Sequence, residues 1–176
     1  MKKADPKADF LKLRMAFAET ADYKPYDFER KTREEMTKAL DKKEYGKAIE
    51  LAEKVLKASY VDVKAHSVAY RSYRALGKAD QAKFHRYVFD GLVQSILKSG
   101  DGKTSATAYV VISTDEEYAV LGELGIRLTL QALLMERGQS FDRIDGVEQK
   151  SRKRVTLYFN VTKPLSRLGE QLKKGK

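Results

Sequence analysis

The spacing of apolar residues changes at the segment Ser99–Ser105, here called the junction, and this change constrains the fold more than any other feature. Before the junction, apolar residues recur every three or four positions, as in amphipathic helices. After it they alternate every two positions, as in strands. The sequence therefore predicts an α+β protein, in which N-terminal tetratricopeptide-like helical hairpins pack against a small, mostly antiparallel C-terminal sheet.

Capping residues divide the N-terminal half into five predicted helices. Asp5, Asp27 and Asp62 are placed to cap helices 1, 2 and 4, because a carboxylate accepts hydrogen bonds from the free amides of a first turn. Gly100 is placed as the left-handed cap that ends helix 5. Gly91 lies inside helix 5, where glycine costs about 1 kcal/mol relative to alanine. Close packing of another backbone, or a kink, would explain it.

Helices 2–3 and 4–5 are predicted to form two hairpins in a common register. Ala48 and Ala82 are 34 residues apart, which is the period of tetratricopeptide repeats. Tyr73, Leu76 and Gly77 also match positions of that repeat. Two such units are too few to be stable alone. We therefore expect the remaining helix and the sheet half to complete the core.

The C-terminal half predicts strands over residues 108–112, 126–134 and 155–161, with an irregular strand between the last two. Gly146 indicates a β-bulge in the irregular strand. Tight turns are expected at 137–139 and 150–153. The last three strands would then form a meander, because their connections are short.

The chain length suits one hydrophobic core. We expect a single compact domain over residues 5–165, with a helical half (5–99) and a sheet half (104–165), followed by a basic helix or tail (166–176). The formal net charge is +10, and residues 149–176 hold nine basic side chains and one acidic side chain. A solvated turn and tail would explain this cluster, and a phosphate-binding patch is the alternative.

Several kinds of site are excluded or unsupported. The chain has no cysteine, which excludes disulfides, thiolate metal sites and cysteine nucleophiles. Gly102-Lys103-Thr104 imitates the end of a phosphate-binding loop, but a helix precedes it where such loops need a strand. No cofactor and no metal are predicted, because no ligand set has the required spacing. No apolar run is long enough to span a membrane.

Six polar residues are the candidate ligand-binding residues of a site at the junction: His66, His85, Asp101, Glu117, Tyr158 and Asn160. Histidine is suited to proton transfer near neutral pH, but both histidines could be core residues satisfied by a tyrosine hydroxyl or a backbone carbonyl. Asp101 could serve turn chemistry, and Glu117 could form a capping box with Thr114. Tyr158 and Asn160 share one strand face and could be buried polar supports.

Two short motifs, Ser99-Gly100-Asp101-Gly102 and Tyr158-Phe159-Asn160-Val161, carry a resemblance that extends over nearly the whole chain. With Phe84-His85-Arg86-Tyr87, they resemble an uncharacterised bacterial family that has only a domain-of-unknown-function label. The resemblance implies short exported proteins with a signal peptide, so a periplasmic or secreted location is expected. A cytoplasmic location is the alternative. The resemblance implies no activity.

The leading functional hypothesis is a non-enzymatic protein-binding or scaffold module of the bacterial envelope, with another protein as the expected partner. A small-ligand-binding protein or an enzyme with a site at the junction is the first alternative. Weak nucleic-acid binding through the basic C-terminal segment is the second. The sequence leaves the oligomeric state open.

Overall fold

Helices come first and strands later in the computed structural model, which describes residues 8–26 and 30–174. In chain order the helices are α1 (Phe10–Ala18), α2 (Arg30–Asp41), α3 (Tyr45–Ala58), α4 (Val63–Ala75), α5 (Ala79–Leu97), α6 (Thr114–Glu123) and α7 (Thr162–Lys174). The strands are β1 (Tyr109–Val110), β2 (Ile126–Glu136), β3 (Gln139–Glu148) and β4 (Arg154–Asn160). The α+β prediction is confirmed. The final helix begins at Thr162 rather than at residue 166.

Two compact units divide the described residues. The helical unit comprises residues 8–23 and 30–92, and the sheet unit comprises residues 24–26 and 93–174. The last residues of α5 therefore belong to the sheet unit. The expectation of a single domain over residues 5–165 stays a prediction.

Small residues form the centre of the helical unit, where α3 packs against both α2 and α4. Ala48, Ala52, Ala65 and Ala69 are fully buried, and Met36 fills the space beside them. Alanine side chains let helix backbones approach closely, while the larger neighbours supply most of the buried apolar area. The apolar spacing in the sequence predicted this inward face.

The first helix buries a different face from the one that its leucines suggest. Leu13 is 37% exposed, whereas the neighbouring Arg14 is fully buried. The Phe10 ring lies where a side chain at Gly91 would project, because an added Cβ would come within 2.1 Å of Phe10 Cε2. A phenyl ring, rather than a second backbone or a kink, therefore explains the glycine inside α5.

Helix ends confirm one predicted cap and correct another. Asp62 Oδ1 accepts a hydrogen bond from the Ala65 amide at 2.8 Å, as expected, and Asp62 also pairs with Arg33. Asp5 and Asp27 lie outside the described residues. For α1, the Asp9 carboxylate is the observed cap, and it accepts from the Lys12 amide at 2.9 Å.

The predicted left-handed cap at Gly100 is wrong, since the positive φ of 67° belongs to Gly102. Gly100 is instead required by close packing, because an added Cβ would lie 2.2 Å from the Thr107 carbonyl oxygen. Ser99 completes the end of α5: its hydroxyl donates to the Ile96 carbonyl at 2.6 Å and accepts from the Val110 amide at 2.8 Å.

The sheet has the strand order β1-β4-β3-β2. Strands β2, β3 and β4 form the predicted antiparallel meander, and β1 pairs parallel to β4. Arg137 and Gly138, both with positive φ, make the two-residue turn between β2 and β3. The bulge lies opposite its predicted position: Leu128 pairs with Gly146 and Leu130 with Asp145, which leaves Thr129 of β2 as the extra residue.

One face of the sheet carries the core of the sheet unit. Ile144, Leu157 and Phe159 are buried there, together with Val120 and Leu121 of α6. Cross-strand register puts Ile144 opposite both Leu157 and Gln131, so Gln131 also projects from this face. This placement brings polar side chains of β2 and β3 to the border of the core.

Candidate functional site

His66 and His85 contact each other inside the helical unit. Their Nδ1 atoms are 3.0 Å apart, and His66 Nε2 lies 2.9 Å from the Tyr60 carbonyl oxygen. Because a carbonyl oxygen only accepts, His66 Nε2 carries the proton, and His66 Nδ1 must accept from His85 Nδ1. The second nitrogen of His85, Nε2, is therefore unprotonated and carries a lone pair.

Burial keeps both rings neutral. Desolvation lowers the pKa of His66 from 6.5 to about 4; the hydrogen bond to the Tyr60 carbonyl opposes this effect, and the nearby His85 adds to it. Desolvation also lowers the pKa of His85, while the Glu53 carboxylate opposes that change. A neutral imidazole whose tautomer is fixed by its neighbour can accept a proton or a hydrogen bond at Nε2.

Tyr73 connects the histidine pair to Glu53. Its ring stacks on His85 with centroids 5.5 Å apart, and its hydroxyl donates to Glu53 Oε1 at 2.7 Å. Burial, followed by this hydrogen bond and the charge of Glu53, raises the pKa of Tyr73 to about 12. A hydrogen-bonded carbonyl satisfies His66, as the structural interpretation of the histidines expected. The contact between the two histidines was not predicted.

Glu117 lies in a second cluster of polar side chains, in the sheet unit. Its side chain is buried, with an exposed fraction of 1%. Gln131 Nε2 donates to Glu117 Oε2 at 3.2 Å and to Asp142 Oδ2 at 2.7 Å. Burial, then the charge and hydrogen bond of Asp142, then the charge of Glu116, raise the pKa of Glu117 from 4.5 to about 8. Near neutral pH this cluster therefore holds a protonated carboxyl group.

Tyr26 lies beside the same carboxyl groups. Burial raises the pKa of its hydroxyl, and the charges of Asp142 and Glu117 raise it further. We call Tyr26, Glu117, Gln131 and Asp142 the Glu117 cluster. Sequence reasoning missed three of these four residues. One signal was available: Asp142 precedes the buried Ile144 by two positions, so an acidic side chain had to share the core face of β3.

The predicted capping box of Thr114 and Glu117 is wrong. Helix α6 is capped one residue earlier, at Ser113, whose side chain makes no capping hydrogen bond. Glu116 is the residue that reaches back, and its Oε2 accepts from the Ile112 amide at 2.8 Å. This shift of one residue leaves Glu117 pointing to the sheet rather than to its own helix end.

Of the other three candidates of the sheet unit, Asp101 and Asn160 have structural partners for their side chains. Asp101 is exposed and accepts at Oδ1 from the Lys103 amide at 3.0 Å and from the Thr107 hydroxyl at 2.5 Å. The hydrogen bonds from Thr107 and then Lys103 lower the pKa of Asp101. Asn160 Oδ1 accepts from the Thr162 amide at 3.1 Å, at the start of α7, and Tyr158 is half-buried on the same strand face.

A surface of α4 and α5 combines arginine and aromatic side chains, which sequence reasoning did not single out. The Tyr70 ring has the Arg74 guanidinium 5.4 Å from its centroid and the Arg86 guanidinium at 5.5 Å. Arg86 also lies 5.8 Å from the Phe89 ring. The helical spacing of Tyr70 and Arg74 was the available signal. We call these four residues the Arg–Tyr surface.

Neither a metal cluster nor a membrane-crossing helix is found in the part of the chain that the structure describes. Residues 8–26 and 30–174 contain no group of three or more histidine, aspartate or glutamate side chains arranged to hold a metal ion. Within the same ranges, every helix is too short or too polar to cross a bilayer.

Comparisons with known proteins identify the family. Neither the curated proteins nor the solved structures provide a match. A family described as Domain of unknown function (DUF4919) matches residues 3–169, which is nearly the whole chain. The protein therefore belongs to this family of unknown function, as the resemblance of its sequence indicated.

Proposed function

We propose that this protein is a protein-binding module, and that the Arg–Tyr surface of α4 and α5 recognises an acidic segment of another protein. The observation that carries the proposal is the Tyr70 ring with two guanidinium groups, those of Arg74 and Arg86, within 5.5 Å of its centroid at a helix surface. Arginine and tyrosine are enriched among the residues that contribute most to protein interfaces. Their planar groups are already ordered against each other, which lowers the entropy cost of binding.

The charge of this region favours an acidic partner. Residues 63–92 hold six basic and two acidic side chains. Arg74 donates to the Tyr70 hydroxyl at 3.0 Å and has no carboxylate partner among the described residues. Arg86 donates to Asp90 at 2.7 Å, in a surface pair that a partner carboxylate can join or replace. A bidentate arginine–carboxylate pair would add direction as well as energy.

The helical unit supports a tetratricopeptide-like interpretation of the same region. Ala48 and Ala82, which are 34 residues apart in the sequence, are both buried, as the matching alanine positions of two such repeats would be. Stacked repeats of this type form extended concave surfaces that bind other proteins. We further propose, from the family resemblance, that the partner is met in the bacterial envelope.

Fluorescence anisotropy with a labelled polyglutamate peptide tests the proposal. We expect the peptide to bind, and R74A to weaken binding about tenfold because the guanidinium and its ring contact are both lost. R71A is the matched control: Arg71 is an exposed arginine on the same helix, and no ring contact or ion pair joins it to another residue that the structure describes. This control should change the affinity less than twofold.

Three results would contradict the proposal. Equal effects of R74A and R71A would show only a general attraction between opposite charges. Equal binding of a neutral glycine–serine peptide would remove the role of charge. Tighter binding of single-stranded DNA, lost when residues 166–176 are removed, would favour the nucleic-acid hypothesis.

The Glu117 cluster favours a second candidate function, a small-ligand or enzymatic site in the sheet unit. A carboxyl group with a pKa of about 8 can donate a proton at neutral pH. An NMR screen of small polar fragments would test this. Fragments that shift the Gln131 and Asp142 signals of the wild type, but not of E117Q, would support a site. Shifts that are the same in both proteins would argue against it.

The full set of six candidate residues stays a prediction. His66 and His85 belong to the helical unit, and Asp101, Glu117, Tyr158 and Asn160 belong to the sheet unit. Within the sheet unit, these four residues have separate roles at a loop, a buried cluster and the end of β4.

A further inference from the structure

We propose that β2 pairs antiparallel with β2 of a second copy of this chain, so that two four-stranded sheets join into one of eight strands. The two edges of the sheet differ in a way that points to β2. The β1 edge has two residues, too few to recruit another strand, whereas β2 has eleven. A long edge strand offers a row of unpaired backbone amides and carbonyls.

The side chains of β2 do not protect this edge. No charged residue and no proline occurs from Leu128 to Met135. Leu130 is 57% exposed, Leu133 is 56% exposed and Met135 is 76% exposed. Edge strands in monomeric proteins usually carry lysine, proline or inward-pointing charges to prevent pairing. The only such device here is the bulge at Thr129.

The bulge also defines the register of the proposed pairing. A twofold axis at Ala132 places Gln131 opposite Leu133 and Leu130 opposite Leu134 of the second copy. Skipping Thr129 in each copy then aligns the rest of the strand. The full set of pairs is Gln131 with Leu133, Leu130 with Leu134, Leu128 with Met135, and Arg127 with Glu136.

Each of these pairs consists of residues from the same sheet face. Arg127 pairs with Val147 of β3 and Glu136 with Gln139, and residues 147 and 139 share one face because strands alternate. By the same argument, Leu128 and Met135 share the other face. Without the skip at Thr129, Leu128 would meet Glu136 from the opposite face. In the proposed register, side chains that are opposite each other therefore lie on the same face of the joined sheet along the whole strand.

Charge complementarity selects a second copy as the partner. The strand has one basic residue near its start and one acidic residue at its end, so antiparallel self-pairing brings Arg127 opposite Glu136 twice. No ion pair involves Arg127 among the described residues. Glu136 accepts a hydrogen bond from Ser105 at Oε2 and is exposed. A parallel pairing would instead bring like charges together.

Cysteine cross-linking tests the axis directly, because the chain has no cysteine of its own. Residues directly opposite in antiparallel strands have Cα atoms about 4.5–5.5 Å apart, within the range that a disulfide spans. We expect A132C to form a disulfide-linked dimer under mild oxidation. L172C, at an exposed position of α7, is the matched control and should remain largely monomeric.

Charge reversal tests the register. Analytical ultracentrifugation should show a wild-type dimer, with R127E and E136R each raising the dissociation constant about tenfold and R127E/E136R restoring it. Circular dichroism at each step checks that the variants fold. A monomeric wild type at all concentrations would overturn the proposal and leave the edge to a strand of another protein. A dimer that neither A132C cross-links nor the charge reversals weaken would also overturn it.

Discussion

The helical unit and the sheet unit each bury an ionisable side chain, and burial affects their charge in opposite directions. His66 is charged when it binds a proton, so burial lowers its pKa to about 4. Glu117 is charged when it loses a proton, so burial raises its pKa to about 8. In both cases the folded protein holds the neutral form.

This comparison shows that one physical cause gives opposite pH dependences of stability. The contribution of neutral His66 to the free energy of unfolding is fully present above pH 6.5 and is lost as the pH falls to about 4. Over this range the unfolded chain binds a proton that the folded chain does not bind. The contribution of protonated Glu117 to the free energy of unfolding is fully present below pH 4.5 and is lost as the pH rises to about 8. Over this range the unfolded chain releases a proton that the folded chain retains. Each unit is therefore least stable at a different end of the pH range.

The largest expected effect comes from E117Q. The change in the pKa of Glu117 from 4.5 to about 8 corresponds to about 5 kcal/mol of stability lost between those pH values. Glutamine mimics the protonated acid and can hydrogen-bond to Gln131 and Asp142. We expect E117Q to resemble the wild type at pH 5 and to be several kcal/mol more stable at pH 9, as measured by urea denaturation.

Regional hydrogen exchange connects this effect to the sheet unit. The gain from E117Q should be seen in the amides of β3 and β4. E123Q, an exposed glutamate on the same helix, is the control and should leave the pH dependence unchanged. A wild-type sheet unit with no loss of protection from pH 5 to pH 9 would contradict the proposed protonation of Glu117.

The second effect concerns His66. Its pKa difference, from 6.5 to about 4, corresponds to about 3 kcal/mol. We expect the α4 amides of the wild type to lose protection as the pH falls from 6.5 to 4, and H66Q to lower protection at pH 7 but to remove most of this dependence. Y60F is the control, because the backbone carbonyl that accepts from His66 remains. An NMR titration that gives His66 an ordinary pKa would refute the comparison.

The smallest expected effect comes from G91A, which changes the packing of the helical unit but not the protonation of His66. G91A places a Cβ against the Phe10 ring, so we expect it to lower the free energy of unfolding by about 2 kcal/mol. This loss exceeds the gain of about 1 kcal/mol that alanine gives over glycine inside a helix. F10A/G91A should cost less than the sum of the single changes. The pH dependence of α4 should not change.

Gly122 provides the matched control for this substitution. It also lies inside a helix, but an added Cβ there would meet nothing within 4 Å. G122A should therefore stabilise the sheet unit by about 0.5–1 kcal/mol. Stabilisation by both substitutions would mean that the ring does not occupy the space beside Gly91.

The sequence by itself determined which segments form helices and strands and their order along the chain, because hydrophobic spacing and capping chemistry act over a few residues. It predicted the Asp62 cap and the turn after β2. It failed by one position at α6, where both Ser113 and Thr114 could cap. It also placed the bulge in the wrong strand, because a glycine opposite a bulge looks the same as a glycine in one.

Only the tertiary structure decided which polar residues meet. Asp142 and Gln131 reach Glu117 from two strands, and His66 reaches His85 across 19 residues. Such contacts depend on how elements pack over long separations in sequence, and local spacing carries no record of them. The pKa values depend on the same packing, because desolvation is set by everything that surrounds a group rather than by its neighbours along the chain.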